Sequence, residues 1–141
     1  MSRTHGWFAA CLSITTMSLC AHVAHAQQYS LIELGVPDSA NSASAYGLND
    51  NDQVVGQIVT SANSNYPGMW NGTSATALDL AGEVAGSGHA INNTGMVAGT
   101  TYAMLPDGSY EQHATQWIGG QPVLLPTLGG VQGNAVSINQ L

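Results

Sequence analysis

Short runs of apolar and β-branched residues alternate with clusters of Gly, Asn and Asp along the chain after residue 27. Val, Ile, Leu and Trp recur in these runs, and turn signals such as Asn71-Gly72 and Gly119-Gly120 separate them. No segment in this part of the sequence has the apolar period of an amphipathic helix. The pattern therefore predicts an all-β fold of short antiparallel strands joined by tight turns.

The strand pattern repeats along the chain. Residues 45–56 align without a gap with residues 88–99, at an offset of 43, and a third copy starts at 135–139. A fixed period near this length indicates small sheet units that stack because none of them buries its apolar face alone. We expect repeat 1 at about 43–87, repeat 2 at about 88–134 and a partial repeat 3 at about 135–141.

Each full copy predicts four strands. In the first copy the strands are expected at 43–48, 53–60, 67–70 and 76–80. In the second copy they are expected at 88–91, 96–102, 113–117 and 122–125. Between the second and third strands lies a segment that differs between the copies, 61–66 in the first and 103–112 in the second.

A tight turn follows the first strand of each copy. Asn92 can cap this turn with its side chain, and Gly95 allows a positive φ without a Cβ clash. Asp52 stands where Gly95 stands and tolerates the left-handed region better than most residues. The matched positions to which we assign structural roles are Asn49, Gly56, Trp70, Asn92, Gly95, Gly99 and Trp117.

The chain begins with the pattern of a secretory signal peptide. Arg3 supplies a positive start, residues 6–20 form a short apolar run, and Ala24-His25-Ala26 is a small-residue cleavage site. The alternative is a buried N-terminal helix. We expect a signal-peptide helix at 1–26 and a secreted, periplasmic or cell-surface location in a bacterium, with no membrane insertion after cleavage because the run is too short to span a bilayer.

Cleavage would remove Arg3, Cys11 and Cys20, leaving no Lys, Arg or Cys beside eight acidic residues. The mature chain would then have no disulfide and no Lys or Arg salt bridge. Nucleic acid is excluded as a partner, because Lys and Arg supply most of the affinity for phosphates. Attraction to anionic lipid headgroups fails for the same reason.

Three segments resemble the HAF repeat, a family of bacterial extracellular repeats. They are Leu128-Gly129-Gly130, Ala90-Ile91-Asn92-Asn93-Thr94-Gly95-Met96-Val97-Ala98-Gly99 and His113-Ala114-Thr115-Gln116-Trp117. Thr115 replaces the phenylalanine of the family's name, and Tyr66-Pro67-Gly68 replaces that run in the first copy. The resemblance implies a secreted protein with β-propeller-like blades, and it brings no activity and no catalytic residues.

Two copies and a fragment are too few for a propeller ring of about four to eight blades. We therefore expect a truncated N-terminal portion of a longer protein, whose further repeats would be partners of this one. The alternative is an open stub, whose unpaired strand edges would lead to self-association.

The acidic turn at 49–52 is a weak calcium candidate. Asp50 and Asp52 offer the oxygen ligands that calcium prefers, although Asn and Asp also belong in such a turn for backbone reasons. Calcium is the one cofactor the sequence suggests. His89 and His113 are the histidines left after residue 26, and their spacing does not fit a zinc site.

Other combinations have a functional and a structural interpretation. Ser87 and His89 have the residue types of a nucleophile and a base, but they lack the strand-turn-helix setting of an exposed serine. Trp70 and Trp117 fit core packing, with stacking on a sugar as the alternative. Two pairs of acids are candidates for a glycosidase, namely Asp79 with Glu83 and Asp107 with Glu111.

The sequence favours a binding or interaction scaffold over an enzyme, because none of these combinations is a complete catalytic site. The variable segments 61–66 and 103–112 would carry the recognition, with a glycan or a protein as the extracellular ligand. The alternative is a propeller-type hydrolase of glycans or esters that uses acids such as Asp50, Asp52 and Asp107. A third possibility is a fragment with no function of its own.

Overall fold

The computed structural model describes residues 29–140. The chain divides into two units, residues 1–30 and 31–141, and the second unit carries the fold. The predicted signal peptide and its cleavage site lie outside the described residues, as do Arg3 and both cysteines.

Two four-stranded antiparallel sheets make up the described fold. The first contains β1 (Ala40–Leu48), β2 (Gln53–Thr60), β3 (Asn65–Asn71) and β4 (Ser74–Ala77), in that order. The second contains β5 (Ala85–Ile91), β6 (Val97–Met104), β7 (Tyr110–Ile118) and β8 (Gln121–Leu124), also in order. Every regular element within residues 29–140 is a strand, so the predicted all-β class and the four-stranded units are confirmed.

Most strands extend further than the apolar runs predicted. The strand expected at 76–80 is an exception, since β4 ends at Ala77, Leu78 enters the core and the Asp79 carbonyl oxygen accepts from Trp117. β1 and β5 each begin three residues before the predicted start, at Ala40 and Ala85. β6 reaches Met104, and β7 begins at Tyr110. The reason is that ladder hydrogen bonds join backbone groups and continue past the last buried side chain. Two of the six residues of segment 61–66 and five of the ten residues of segment 103–112 therefore belong to strands, leaving turns at 61–64 and 105–109.

Both sheets carry an irregularity at the same place in their first strand. The register shifts between Ala45 and Gly47 in β1, and between Gly88 and Ala90 in β5. Gly56 pairs with Ala45, and Gly99 pairs with Gly88, so each matched glycine faces the shifted segment. A Cβ added at either glycine would overlap a backbone carbonyl oxygen of the neighbouring strand.

The two copies share one hydrophobic core. Strand β5 packs over the first sheet, and the core cluster contains Val55, Leu78, Ile91, Val97 and Trp117. Val55 and Leu78 come from the first copy, while the other three come from the second. The last residues of β1 and β5 show the effect of stacking. Ile91, which ends β5 against the first sheet, is 6% exposed, whereas its counterpart Leu48, which ends β1, is 67% exposed.

The matched tryptophans are both buried, and each fixes the segment that precedes its own sheet. Trp70 Nε1 donates to the Gly35 carbonyl oxygen at 2.7 Å, and Trp117 Nε1 donates to that of Asp79 at 2.6 Å. Their burial confirms the core-packing interpretation. The alternative of stacking on a sugar is wrong for these two rings, because a buried ring offers no free face.

The asparagine turns have the predicted geometry, with positive φ at Asp52 (58°) and Gly95 (80°). The side-chain oxygen of Asn92 accepts from the backbone N–H groups of Thr94 and Met96, at 3.1 and 2.9 Å. In the first copy, the side-chain oxygen of Asn49 accepts from the backbone N–H groups of Asn51 and Gln53 in the same way.

Hydrogen bonds also join each turn to the next copy. Asn49 Nδ2 donates to the carbonyl oxygen of Asn92 at 2.9 Å, and Asn92 Nδ2 donates to that of Asn139 at 3.2 Å. The third copy is held along its length as well, because Ala135 N donates to the Gly99 carbonyl oxygen at 3.4 Å. The turns therefore form a continuous series that fixes how the copies stack.

Within residues 29–140, no helix has both the length and the apolar character needed to cross a membrane.

Candidate functional site

The two segments that the sequence predicts to carry recognition meet at one groove. This groove has a volume of about 430 Å³ and lies where the β2–β3 hairpin faces the start of β5 and the β6–β7 hairpin. Its lining consists of small amide and hydroxyl side chains on one side and aromatic or apolar side chains on the other: Asn63, Ser64, Asn65, Val84, Ala85, Tyr102, Met104 and Tyr110. We call it the hairpin groove.

A tight turn forms the polar wall of the hairpin groove. Thr60 N donates to the Ser64 carbonyl oxygen at 2.9 Å, and Asn63 N donates to that of Thr60 at 2.9 Å. Asn63 itself has a positive φ of 59°, which Asn tolerates better than most residues. The amide side chains of Asn63 and Asn65 form no hydrogen bond in the described part of the chain. They are therefore free to bind a ligand.

The turn of the opposite hairpin is held in the same way. Leu105 N donates to the Ser109 carbonyl oxygen at 2.9 Å, and Gly108, with a φ of 83°, donates its N–H to that of Leu105 at 2.9 Å. Asp107 Oδ1 accepts from the hydroxyl and the N–H of Ser109, at 2.6 and 2.9 Å. These two hydrogen bonds stabilise the ionised carboxylate and so lower the pKa of Asp107.

Three large side chains form the apolar wall of the hairpin groove. Tyr102 and Met104 are two residues apart in β6, and Met104 pairs directly with Tyr110 of β7, so all three lie on one face of the sheet. Tyr110 is 61% exposed. Val84, at the edge of the groove, is tied to this wall because its N–H donates to the Tyr102 carbonyl oxygen at 2.8 Å.

The sequence predicts the two segments of this site, and Tyr110 lies within one of them, but it does not predict a wall formed by the two tyrosines. Tyr102 and Tyr110 flank the Pro-Asp-Gly turn, and the register of that hairpin brings them to one face. The Pro-Asp-Gly turn fixes the pairing of this hairpin, and side chains alternate between the two faces of a strand. Together these two rules predict that Tyr102, Met104 and Tyr110 share one face.

A second, smaller hollow of about 320 Å³ lies on the first sheet. Ile58, Tyr66 and Pro37 are among the residues that line it. It contains no residue of the second copy, and so it brings together only one of the two variable segments.

The calcium candidates belong to the network between turns. Asp50 Oδ2 accepts from Asn93 Nδ2 at 2.6 Å, and Asp50 N donates to Asn93 Oδ1 at 2.9 Å. Asp52 supplies the left-handed residue of the turn. Among residues 29–140, no group of three or more His, Cys, Asp and Glu side chains is arranged to hold a metal ion.

Ser87 and His89 lie side by side in the structure. The Ser87 hydroxyl lies 2.9 Å from His89 Nε2, and His89 Nδ1 lies 2.9 Å from the Ala135 carbonyl oxygen. Because a carbonyl oxygen only accepts, Nδ1 donates to it, and Nε2 of the neutral ring accepts from Ser87. Ser87 is 8% exposed, so its hydroxyl is buried, and the bond from His89 to Ala135 connects β5 with the third copy.

The structure gives the four acids of the suggested glycosidase pairs other partners. Glu83 Oε1 and Glu111 Oε2 approach opposite ring nitrogens of His113, at 3.1 and 3.7 Å. Asp79 Oδ1 accepts from Ala81 N at 2.8 Å, and Asp107 caps its own turn. Glu83 Oε2 is buried without a hydrogen-bond partner, so this carboxylate is bonded to His113 through Oε1 alone.

Comparison of the chain with protein families, with curated proteins and with solved structures gave no match.

Proposed function

We propose that this chain is an exported binding module that holds a small ligand in the hairpin groove, while its strands serve as scaffold. One observation carries the proposal. The two segments that differ between otherwise matching copies converge on the same groove. In a repeat protein, the segments that vary on a constant frame are where recognition is usually found.

The construction of the groove also supports a binding role. Both walls end in turns with internal backbone hydrogen bonds, so little conformational entropy would be lost when a ligand binds. The lining combines exposed aromatic area with a few free amides, which is typical of a small-molecule site.

The proposal that the chain is exported is based on its sequence. Residues 1–26 have the pattern of a secretory signal peptide, and the resemblance to HAF repeats points the same way. A cysteine-free mature chain is compatible with an oxidising compartment.

Fragment binding followed by NMR tests the proposed site. The full chain, labelled with ¹⁵N, would be titrated with a library of small uncharged fragments. We expect shifts of backbone amides to cluster at residues 63–65 and 102–110, since only there do both hairpins contribute free polar and aromatic groups.

The hollow on the first sheet provides the comparison in that titration. Shifts that cluster around Ile58 and Tyr66, or that spread evenly over both sheets, would contradict the proposal. So would a library that produces no localised shifts at all.

A further inference from the structure

We propose that the ligand of the hairpin groove is a neutral saccharide. This inference rests on the proposed function and adds the chemical class of the ligand. It follows from the charges near the groove, from the side chains that line it and from its dimensions.

Charge excludes the ionic classes of ligand. Residues 29–140 contain no Lys or Arg, so an anionic ligand such as a phosphate or a uronic acid would find no cationic partner. No carboxylate lines the groove either. A cationic ligand would therefore find no carboxylate among the lining residues.

The lining suits a molecule with a hydroxylated rim and apolar faces. The amides of Asn63 and Asn65 each offer a donor and an acceptor that remain unused in the described part of the chain. Opposite them, Tyr102 and Tyr110 present aromatic surface with a phenolic hydroxyl at its edge. A pyranose ring matches both walls, with its hydroxyls toward the amides and its C–H face toward the tyrosines.

The dimensions of the groove fit a small ligand. Its volume of about 430 Å³ falls in the range of small-molecule sites.

Calorimetry with a saccharide panel tests the ligand class. The panel would contain neutral glucans, mannans, galactans and chitin oligosaccharides, together with sialylated and uronic-acid glycans of similar length. We expect at least one neutral oligosaccharide to bind and the acidic ones to bind more weakly. The Tyr110→Ala variant should bind that oligosaccharide at least about tenfold more weakly, because it loses the most exposed aromatic wall.

Tyr46→Ala is the matched control. Tyr46 is 52% exposed and donates its hydroxyl to Gln57 Oε1 at 3.2 Å, but it does not line the groove. This variant should keep the affinity of the original chain, and the native fold of both variants would be checked by their amide spectra.

The two proposals fail in different ways. If no neutral saccharide binds but uncharged fragments still bind at the hairpin groove, the ligand class is wrong and the binding module stands. If a neutral saccharide binds and Tyr110→Ala behaves like Tyr46→Ala, this groove is not its site and the saccharide proposal is overturned, while the fragment titration still decides the binding module. If neither saccharides nor fragments bind at the groove, both proposals are overturned.

Discussion

At the scale of single residues, asparagine carries most of the specific polar structure. Asn92 is fully buried, and its side-chain oxygen accepts from two backbone N–H groups and from the Thr94 hydroxyl. Its amide nitrogen donates to Asn139 of the next copy. One side chain therefore closes its own turn and holds the following repeat.

We expect Asn92→Ala to lower the free energy of unfolding by about 2–4 kcal/mol, because the substitution leaves buried backbone N–H groups without acceptors. Urea denaturation followed by circular dichroism measures the loss. The control is Asn41→Ala, since Asn41 lies exposed on β1 and should change stability by less than about 0.5 kcal/mol. Similar losses in the two variants would contradict the role given to Asn92.

Half of this role could be predicted from sequence. An Asn followed three residues later by Gly indicates the capped turn, because the hydrogen bonds involved are local. The bond from Asn92 to Asn139 spans 47 residues, and no local rule provides its partner. The tyrosines of the groove share a face through the register of a local hairpin, but their position opposite Asn63 and Asn65 depends on how the two sheets pack, and no local rule provides that.

At the scale of strands, the matched glycines set how closely β1 approaches β2 and β5 approaches β6. The register shift in β5 brings the Ser87 carbonyl oxygen over Gly99, where an added Cβ would overlap it. Bulges of this kind bend a strand and increase its local twist. The sequence predicted the strands themselves, because their apolar residues are regular, but their outer ends are set by backbone pairing.

Gly99→Ala is expected to cost about 2–4 kcal/mol of stability, because two backbone segments would have to separate to admit the methyl group. Thermal unfolding of the variant would show this as a lower midpoint. Gly130→Ala serves as the comparison, since a Cβ at Gly130 meets no atom, and its midpoint should stay near that of the original chain. A Gly99→Ala protein as stable as Gly130→Ala would show that the close approach is not required.

At the scale of the molecule, the second copy depends on the first for its core. Val55 and Leu78 cover Ile91, Val97 and Trp117, so the first sheet buries what the second could not bury alone. The repeat in the sequence predicted this dependence. It did not predict the hairpin groove, because the groove arises from the angle at which the two sheets pack, and no single segment determines that angle.

The central claim is that the two copies form one cooperative unit, which holds the walls of the groove in place. The most direct test follows the indole N–H signals of Trp70 and Trp117 in ¹H–¹⁵N spectra during a urea titration. These two groups report on separate sheets through their bonds to Gly35 and Asp79. We predict that both native signals disappear at the same urea concentration, as in a two-state transition. Loss of one signal while the other stays native would contradict the shared core.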